Sequence, residues 1–91
     1  MSILTLKIEL CGNPDHGQDP HRPPYGVERF HEVRAASIEI VRLCAKEIQA
    51  ENDLGGGNWK EAILYRDSEK IGRMSWNGRI WDEQGNEVTD L

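Results

Sequence analysis

The segment "IGRMSWNGRIWD" at residues 71–82 contains the strongest turn signal in the chain. Its central Asn77-Gly78 dipeptide is typical of a two-residue type I′ hairpin turn, because that turn requires positive φ at both central residues. The flanking residues are therefore predicted to pair as antiparallel strands, in a register that places Met74 opposite Trp81. The two predicted faces of this hairpin carry Met74, Trp76 and Trp81 on one side and Ile71, Ser75 and Ile80 on the other.

Further strands are predicted on both sides of the hairpin. The segment "NWKEAILYR" precedes it, and with turns at "DSEK" and "EQGN" the pattern predicts a β-meander over residues 59–88. At residues 3–10, "ILTLKIEL" alternates apolar and polar side chains with period 2, which is typical of a half-buried strand. The segment "VERFHEVR" at residues 27–34 favours a second short strand.

One helix is predicted over residues 36–52, between the early strands and the meander. Its apolar residues recur at helical spacing and share one arc of the helix: Ile38, Ile40, Val41, Cys44, Ala45 and Ile48. The following "NDLGGG" predicts the end of the helix, with a glycine in the left-handed conformation just after it. The sequence therefore predicts an α+β fold, an antiparallel sheet of four to five strands with one α-helix packed on one face.

Length and charge narrow the class of protein. The chain has 91 residues, 11 basic and 16 acidic, and a net charge of −5. This length is typical of one domain, residues 1–91. The acidic charge argues against a dedicated nucleic-acid-binding protein, whose affinity comes mainly from neutralising phosphates. No apolar run approaches the about 20 residues of a membrane span, and the first residues do not resemble a signal peptide. We therefore expect a cytoplasmic protein that does not enter the membrane.

A long Pro- and Gly-rich loop at residues 12–26 follows the first strand, and "CGNPDHGQDPH" at residues 11–21 concentrates possible metal ligands. Cys11, His16 and His21 have the side-chain types that bind zinc. Their spacing matches no compact zinc pattern, and the twelve-residue calcium loop is absent. The Asn-Pro and Asp-Pro dipeptides are typical of turns. The sequence thus predicts a loop with no metal and no cofactor, and a small zinc-binding module stays open as an alternative.

The sequence also gives little support for a catalytic site. Cys11 with His16 or His31 could form a nucleophile and base pair, but no oxyanion-hole sequence or third member accompanies it. The glycines of "LGGGN" follow a helix, whereas a phosphate-binding loop precedes one. We therefore predict that the protein is not an enzyme.

A binding surface is predicted on the sheet, because a single helix covers only one of its two faces. Tryptophan and arginine dominate binding hot spots, and the hairpin carries both. Beyond Arg79 the chain has no basic residue, and acidic residues including Glu87 and Asp90 end it. The predicted binding residues are Trp76, Arg79, Trp81, Asp82 and Glu83.

The small size, the acidity and the order strand, helix, "LGGGNW", meander ending in "NGRIWD" are similar to small proteins of bacteriophages and mobile elements. Among these the chain resembles anti-CRISPR inhibitors in which one helix packs on a small antiparallel sheet. The resemblance covers residues 3–10 and about 36–82 and is one of architecture. It implies a non-enzymatic inhibitor in the host cytosol that binds a bacterial defence complex, a protein or protein–nucleic-acid assembly, and blocks its nucleic-acid path.

A second class of function stays open beside the inhibitor. Arg66, Arg73 and Arg79 lie on the meander with the tryptophans, and a sheet bearing arginine and tryptophan can bind nucleic acid. The chain would then be a nucleic-acid-binding regulator. A homodimer is compatible with either class.

Overall fold

The computed structural model describes residues 2–89 and 91. Five strands form one antiparallel sheet, in the spatial order Phe30–Ala35, Leu4–Leu10, Trp59–Arg66, Glu69–Met74 and Ile80–Trp81, and one helix crosses it. This confirms the predicted α+β class. Short 3-10 turns lie at Pro14–His16 and Gly56–Asn58. The main elements are β1 (Leu4–Leu10), β2 (Phe30–Ala35), α1 (Ile38–Glu51), β3 (Trp59–Arg66), β4 (Glu69–Met74) and β5 (Ile80–Trp81).

The core lies between α1 and one face of the sheet. The alternating pattern of β1 places every second side chain on this face, and Leu6 is fully buried there. Val41 on α1 and Leu64 on β3 are fully buried as well. Each such aliphatic side chain stabilises the fold by about 1.5–3 kcal/mol through removal from water. The core comprises Leu4, Leu6, Ile8, Leu10, Val33, Ile38, Val41, Ala45, Ala62, Leu64, Met74 and Ile80.

The buried stripe of α1 is narrower than the sequence predicted. Ile38, Val41 and Ala45 are buried, but Ile40 is 50% exposed. At 100° per residue, Ile40 lies about 130° around the helix from the centre of the buried row. The sheet contacts only the row of helix residues that faces it, so the assignment of Ile40 to the core face was wrong. Leu43, 61% exposed, lies on the outer side of the helix.

The end of α1 differs from the prediction in its left-handed residue. Asp53 has φ 52°, so it, and not a glycine, occupies the left-handed position after the helix. Its N–H donates to the Ala50 carbonyl at 3.3 Å, and the Leu54 N–H donates to the Gln49 carbonyl at 2.9 Å. These two bonds form a Schellman motif, which satisfies carbonyls at the helix end.

The hairpin between β4 and β5 has a three-residue loop instead of the predicted two-residue turn. The Ser75 N–H donates to the Arg79 carbonyl at 2.9 Å, and the Gly78 N–H donates to the Ser75 carbonyl at 3.0 Å. Of the described loop residues 76–78, only Gly78 has positive φ, at 87°. A type I turn followed by a left-handed glycine is the usual three-residue hairpin connection. The type I′ assignment for Asn77-Gly78 was therefore wrong.

The longer loop shifts the hairpin register by one residue. Met74 pairs with Ile80, and Arg73 pairs with Trp81. Because side chains alternate between faces, this shift turns Trp81 to the face opposite Met74. The prediction that Met74, Trp76 and Trp81 share a strand face was thus wrong. The observed register buries Ile80 beside Met74 in the core, whereas the predicted one would have turned Ile80 away from it.

Candidate functional site

The sheet face opposite α1, here called the open face, carries a row of side chains that crosses all five strands. Glu32 on β2 is the partner of Lys7 on β1, and Lys7 is the partner of Ile63 on β3. Ile63 in turn pairs with Arg73 on β4, which pairs with Trp81 on β5. At strand spacings of about 4.8 Å the row is about 19 Å long. Along the row an acidic and a basic residue are followed by an aliphatic residue at the centre, a second basic residue and an aromatic ring.

The open face is concave and continuous. One depression of about 460 Å³ lies over β2, β1 and β3, and its lining includes Phe30 and Ile63. A second, of about 510 Å³, lies over β3, β4 and the turn after β5 and shares Glu61 and Ile63 with the first. A third, of about 380 Å³, shares Glu61, Arg73 and Trp81 with the second. A partner segment could therefore contact the whole width of the sheet.

The third depression, here called the tryptophan groove, forms where β3 and β4 separate. Their backbone pairing runs from the turn only as far as Ile63 and Arg73. Beyond that point the Trp59 indole N–H donates to the Met74 carbonyl at 3.0 Å, so a side chain satisfies a group that a neighbouring strand would otherwise pair. All three tryptophans line this groove: Trp59, Trp76 and Trp81.

The tryptophans hold one another and the hairpin in place. The Trp59 and Trp76 rings meet edge to face, with centroids 6.0 Å apart and an interplanar angle of 76°. The Trp81 indole N–H donates to Ser75 Oγ at 3.4 Å. Such aromatic pairs add about 0.5–1.5 kcal/mol beyond the burial of their area. The groove is thus preformed, which lowers the ordering cost of binding.

Charges on the open face are balanced. Lys7 Nζ lies 5.2 Å from the Tyr65 ring centroid, a cation–π distance. Exposed ion pairs join Arg34 to Glu32 at 3.2 Å and Lys70 to Glu83 at 3.9 Å. Exposed pairs of this kind are worth about 0–1 kcal/mol, so they set the pattern of charge more than the stability. The open face therefore presents charges of both signs and not a single-sign field.

The structure divides the predicted binding residues. Trp76 and Trp81 both line the tryptophan groove, although the register places them differently from the prediction. Arg79 is exposed directly after the hairpin loop, where its carbonyl accepts from the Ser75 N–H, and it lies outside the groove lining. Arg73, paired with Trp81 on β4, takes the place on the open face that the sequence suggested for Arg79.

The predicted acidic pair also has two separate roles. Asp82 Oδ1 accepts hydrogen bonds from the Gln84 and Asn86 N–H groups, both at 2.9 Å, so this carboxylate stabilises the turn after β5. Glu83 lies at the border of the open face beside Lys70. Asp90 lies outside the described residues.

Sequence reasoning missed the residues of the open face on the early strands. Phe30 is 66% exposed at the edge of the sheet, and Ile63 lies half-buried at its centre. The signal was present: each is a large apolar residue at a polar position of an alternating strand. Exposed apolar side chains gathered on one surface mark interaction sites.

The loop after β1 is held by three side-chain amides, Asn13, Gln18 and Asn58, here called the amide clasp. Asn58 Nδ2 donates to Gln18 Oε1 and to the Cys11 carbonyl, both at 2.9 Å. Gln18 Oε1 also accepts from the main-chain N–H of Asn13 at 2.8 Å, and the Asn13 side-chain Oδ1 accepts from the Asp15 N–H at 3.0 Å. Asn13 and Asn58 are buried, and the clasp joins the loop to the glycine-rich turn before β3. These bonds give "CGNPDHGQ" a structural role.

Two further observations concern metals and membranes. The residues 2–89 and 91 contain no group of three His, Cys, Asp or Glu side chains placed to hold a metal ion. Cys11 Sγ lies 3.5 Å from the Gly57 carbonyl, to which its S–H donates. In the same described ranges, no helix has the length and apolar content needed to cross a membrane.

Comparison of the chain with protein-family models, with curated proteins and with solved structures finds no match.

Proposed function

We propose that this chain is a non-enzymatic binding domain that recognises a protein partner through its open face. The observation that carries the proposal is the row from Glu32 to Trp81, which crosses five strands within one continuous concave surface. Aromatic and arginine side chains at such a surface are the residue types that contribute most to protein–protein binding. The preformed tryptophan groove offers a pocket for an apolar or cationic side chain of the partner.

The charge pattern supports a protein partner over a nucleic acid. Carboxylates of Glu9, Glu32 and Glu61 lie on the open face among its basic side chains, and the whole chain has a net charge of −5. A phosphate backbone would be repelled by these carboxylates, whereas a protein can match a surface that carries charges of both signs. In its narrower form the proposal is that the partner is a bacterial defence complex and that binding inhibits it, as the resemblance to anti-CRISPR inhibitors implies.

The test compares matched variants on opposite faces. Phe30→Ala removes an exposed apolar side chain from the open face, and Leu43→Ala removes one of similar exposure, 66% against 61%, from the outer side of α1. Arg73→Glu and Arg79→Glu reverse the same charge inside and outside the row. The partner is first recovered from a bacterial lysate with the wild-type protein, and each affinity is then measured by titration calorimetry with the purified partner.

We expect Phe30→Ala and Arg73→Glu each to weaken binding at least about tenfold, which corresponds to about 1.4 kcal/mol. Leu43→Ala and Arg79→Glu should change it less than about threefold. Binding that depends on Leu43 but not on Phe30 would place the interface on the helix and contradict the proposal. Retardation of DNA in a gel that weakens steeply with salt, without a protein partner, would support the nucleic-acid alternative. The inhibitor form further predicts that the recovered partner loses target nucleic-acid binding when the protein is added.

A further inference from the structure

Strand β2 forms the free edge of the sheet. At the other edge, the chain after β5 folds back, so that Trp81 bridges to Glu87 and the Val88 N–H donates to the Ile80 carbonyl at 2.8 Å. In the described residues, β2 pairs with β1 on one side only. An edge strand with unpaired backbone groups is a template for pairing with another chain.

The backbone groups that point outward from β2 can be identified. The Leu10 N–H donates to the Arg29 carbonyl at 2.8 Å, so this pair is a hydrogen-bonded pair of the β1–β2 ladder. Such pairs alternate with pairs whose backbone groups point away. The N–H and C=O groups of Phe30, Glu32 and Arg34 therefore point away from β1, to the outside of the sheet.

The charges on this edge are complementary to those on the same edge of a second copy. Glu32 and Arg34 lie on either side of Val33, and within one chain Arg34 Nε is 3.2 Å from Glu32 Oε2. An antiparallel pair of two β2 strands centred on Val33 places Glu32 opposite Arg34 of the second copy, twice. Both pairs join residues with outward-pointing backbone groups. A register centred on Glu32 would instead place two carboxylates opposite each other, which is destabilising.

The helix provides an apolar contact on the same side. Arg42 Nε and Gln49 Nε2 donate to the carbonyls of Gly78 and Trp76, at 3.0 and 3.1 Å, at the far side of the sheet. The opposite flank of α1 therefore faces the β2 edge, and Ile40 lies on it with half of its surface exposed. A second copy paired at β2 would bring a second α1 to this flank and cover Ile40.

We infer that two copies of this chain pair through β2, antiparallel and centred on Val33, to form one continuous ten-stranded sheet. The four charges of the two Glu32 and Arg34 residues then alternate in sign across the twofold axis. Both open faces lie on the same side of the joined sheet, so a partner would meet two of them. This inference shares Glu32 with the proposed function but does not depend on it, because its test uses the protein alone, without a partner.

The test is sedimentation equilibrium of the protein alone, at concentrations up to about 1 mM, where small interfaces associate. The wild type should form a dimer. Glu32→Arg and Arg34→Glu should each weaken it at least about tenfold, because each creates like charges across the axis. The double variant should dimerise as the wild type does, and an equimolar mixture of the two single variants should form a heterodimer. Glu87→Arg, the same change at the covered edge, should leave the dimer unchanged.

Three sedimentation results would each overturn the inference: a monomeric wild type, a dimer that both single variants retain, or a folded double variant that stays monomeric. Circular dichroism of each variant establishes that it is folded. If a variant does not fold, hydrogen exchange of the wild-type protein still tests the pairing. Hydrogen exchange at the Glu32 and Arg34 amides should slow as concentration rises, whereas exchange at the Val33 amide, already bonded to β1, should not. Exchange at Glu32 and Arg34 that is independent of concentration would also refute pairing at this edge.

Discussion

Substitution of Asn58 by alanine should destabilise the fold strongly, because this side chain makes three hydrogen bonds in a buried position. Asn58 is 5% exposed. Its Nδ2 donates to the Cys11 carbonyl and to Gln18 Oε1, and its Oδ1 accepts from the Gly55 N–H, all at 2.9 Å. Each bond contributes about 1 kcal/mol, and the main-chain partners would be left unpaired at further cost. We therefore expect Asn58→Ala to lower the free energy of unfolding by about 2–4 kcal/mol.

The assay is urea denaturation followed by circular dichroism, with the free energy taken from linear extrapolation. For a domain of this size, the expected loss corresponds to a fall in Tm of about 10–30 °C. Asn86→Ala, at an exposed asparagine in the turn after β5, is the matched control and should change stability by less than about 0.5 kcal/mol. A double-mutant cycle with Gln18→Ala isolates the bond between the two amides. An Asn58→Ala variant as stable as the Asn86→Ala control would refute the structural role of the amide clasp.

The nearly isosteric Asn58→Asp tests the donor function separately. A carboxylate can accept from the Gly55 N–H but cannot donate to the Cys11 carbonyl, and it would face Gln18 Oε1. The pKa of the new carboxyl group should therefore be raised in the folded state. The unfolded state then releases its proton first, so stability should fall as pH rises from the unfolded pKa to the folded pKa. Wild-type protein measured over the same pH range provides the baseline.

Three other changes test local features. Asp53→Gly should raise the free energy of unfolding by about 0.5–1 kcal/mol, because glycine adopts φ 52° without strain, whereas Asp53→Ala should bring no gain in the same urea assay. Gly57→Ala should cost about 1–3 kcal/mol, since the added methyl would overlap the amide clasp, whereas Gly55→Ala, with its nearest atom 3.9 Å away, should be nearly neutral. The Ser37 hydroxyl donates to Glu39 at 2.7 Å and lowers the pKa of that carboxyl, so an NMR titration of Ser37→Ala should show a higher Glu39 pKa. The hydrogen bond stabilises the folded state at pH values above the unfolded pKa of Glu39, and this stabilisation is lost as pH falls through the folded pKa. A Glu39 titration that is unchanged in Ser37→Ala would contradict a role for the bond.

Local patterns predicted the elements of the fold but not the hairpin register. The alternation in residues 3–10 and the helical spacing after Ser37 each reflect contact with a single core face, so they can be read from neighbouring residues. The Asn77-Gly78 pair is compatible with both a type I′ turn and a type I turn followed by a left-handed glycine. The choice depends on the burial of Ile80, which is a tertiary contact. Sequence alone could not decide between the two registers.

Of the candidate site, only the tryptophans could be predicted from the sequence. Trp76 and Trp81 stand out in composition, and both line the groove. The row on the open face depends on pairing between strands far apart in the chain, such as Lys7 with Ile63. No local pattern encodes that alignment. Arg73 was therefore less prominent in the sequence than Arg79, although only Arg73 lies in the row.

The clustering of all three tryptophans at one end of the sheet makes the protein a spectroscopic reporter of that end. Indole fluorescence will sense the separation of β3 and β4, whereas the helical signal in far-ultraviolet dichroism will come from α1. The fluorescence and dichroism signals therefore report different parts of the molecule. If they lose their native values together on heating, the groove and the helix unfold as one unit. If fluorescence emission changes at a lower temperature than dichroism, the groove opens while the helix remains folded. A bound partner should then bring the two melting transitions together.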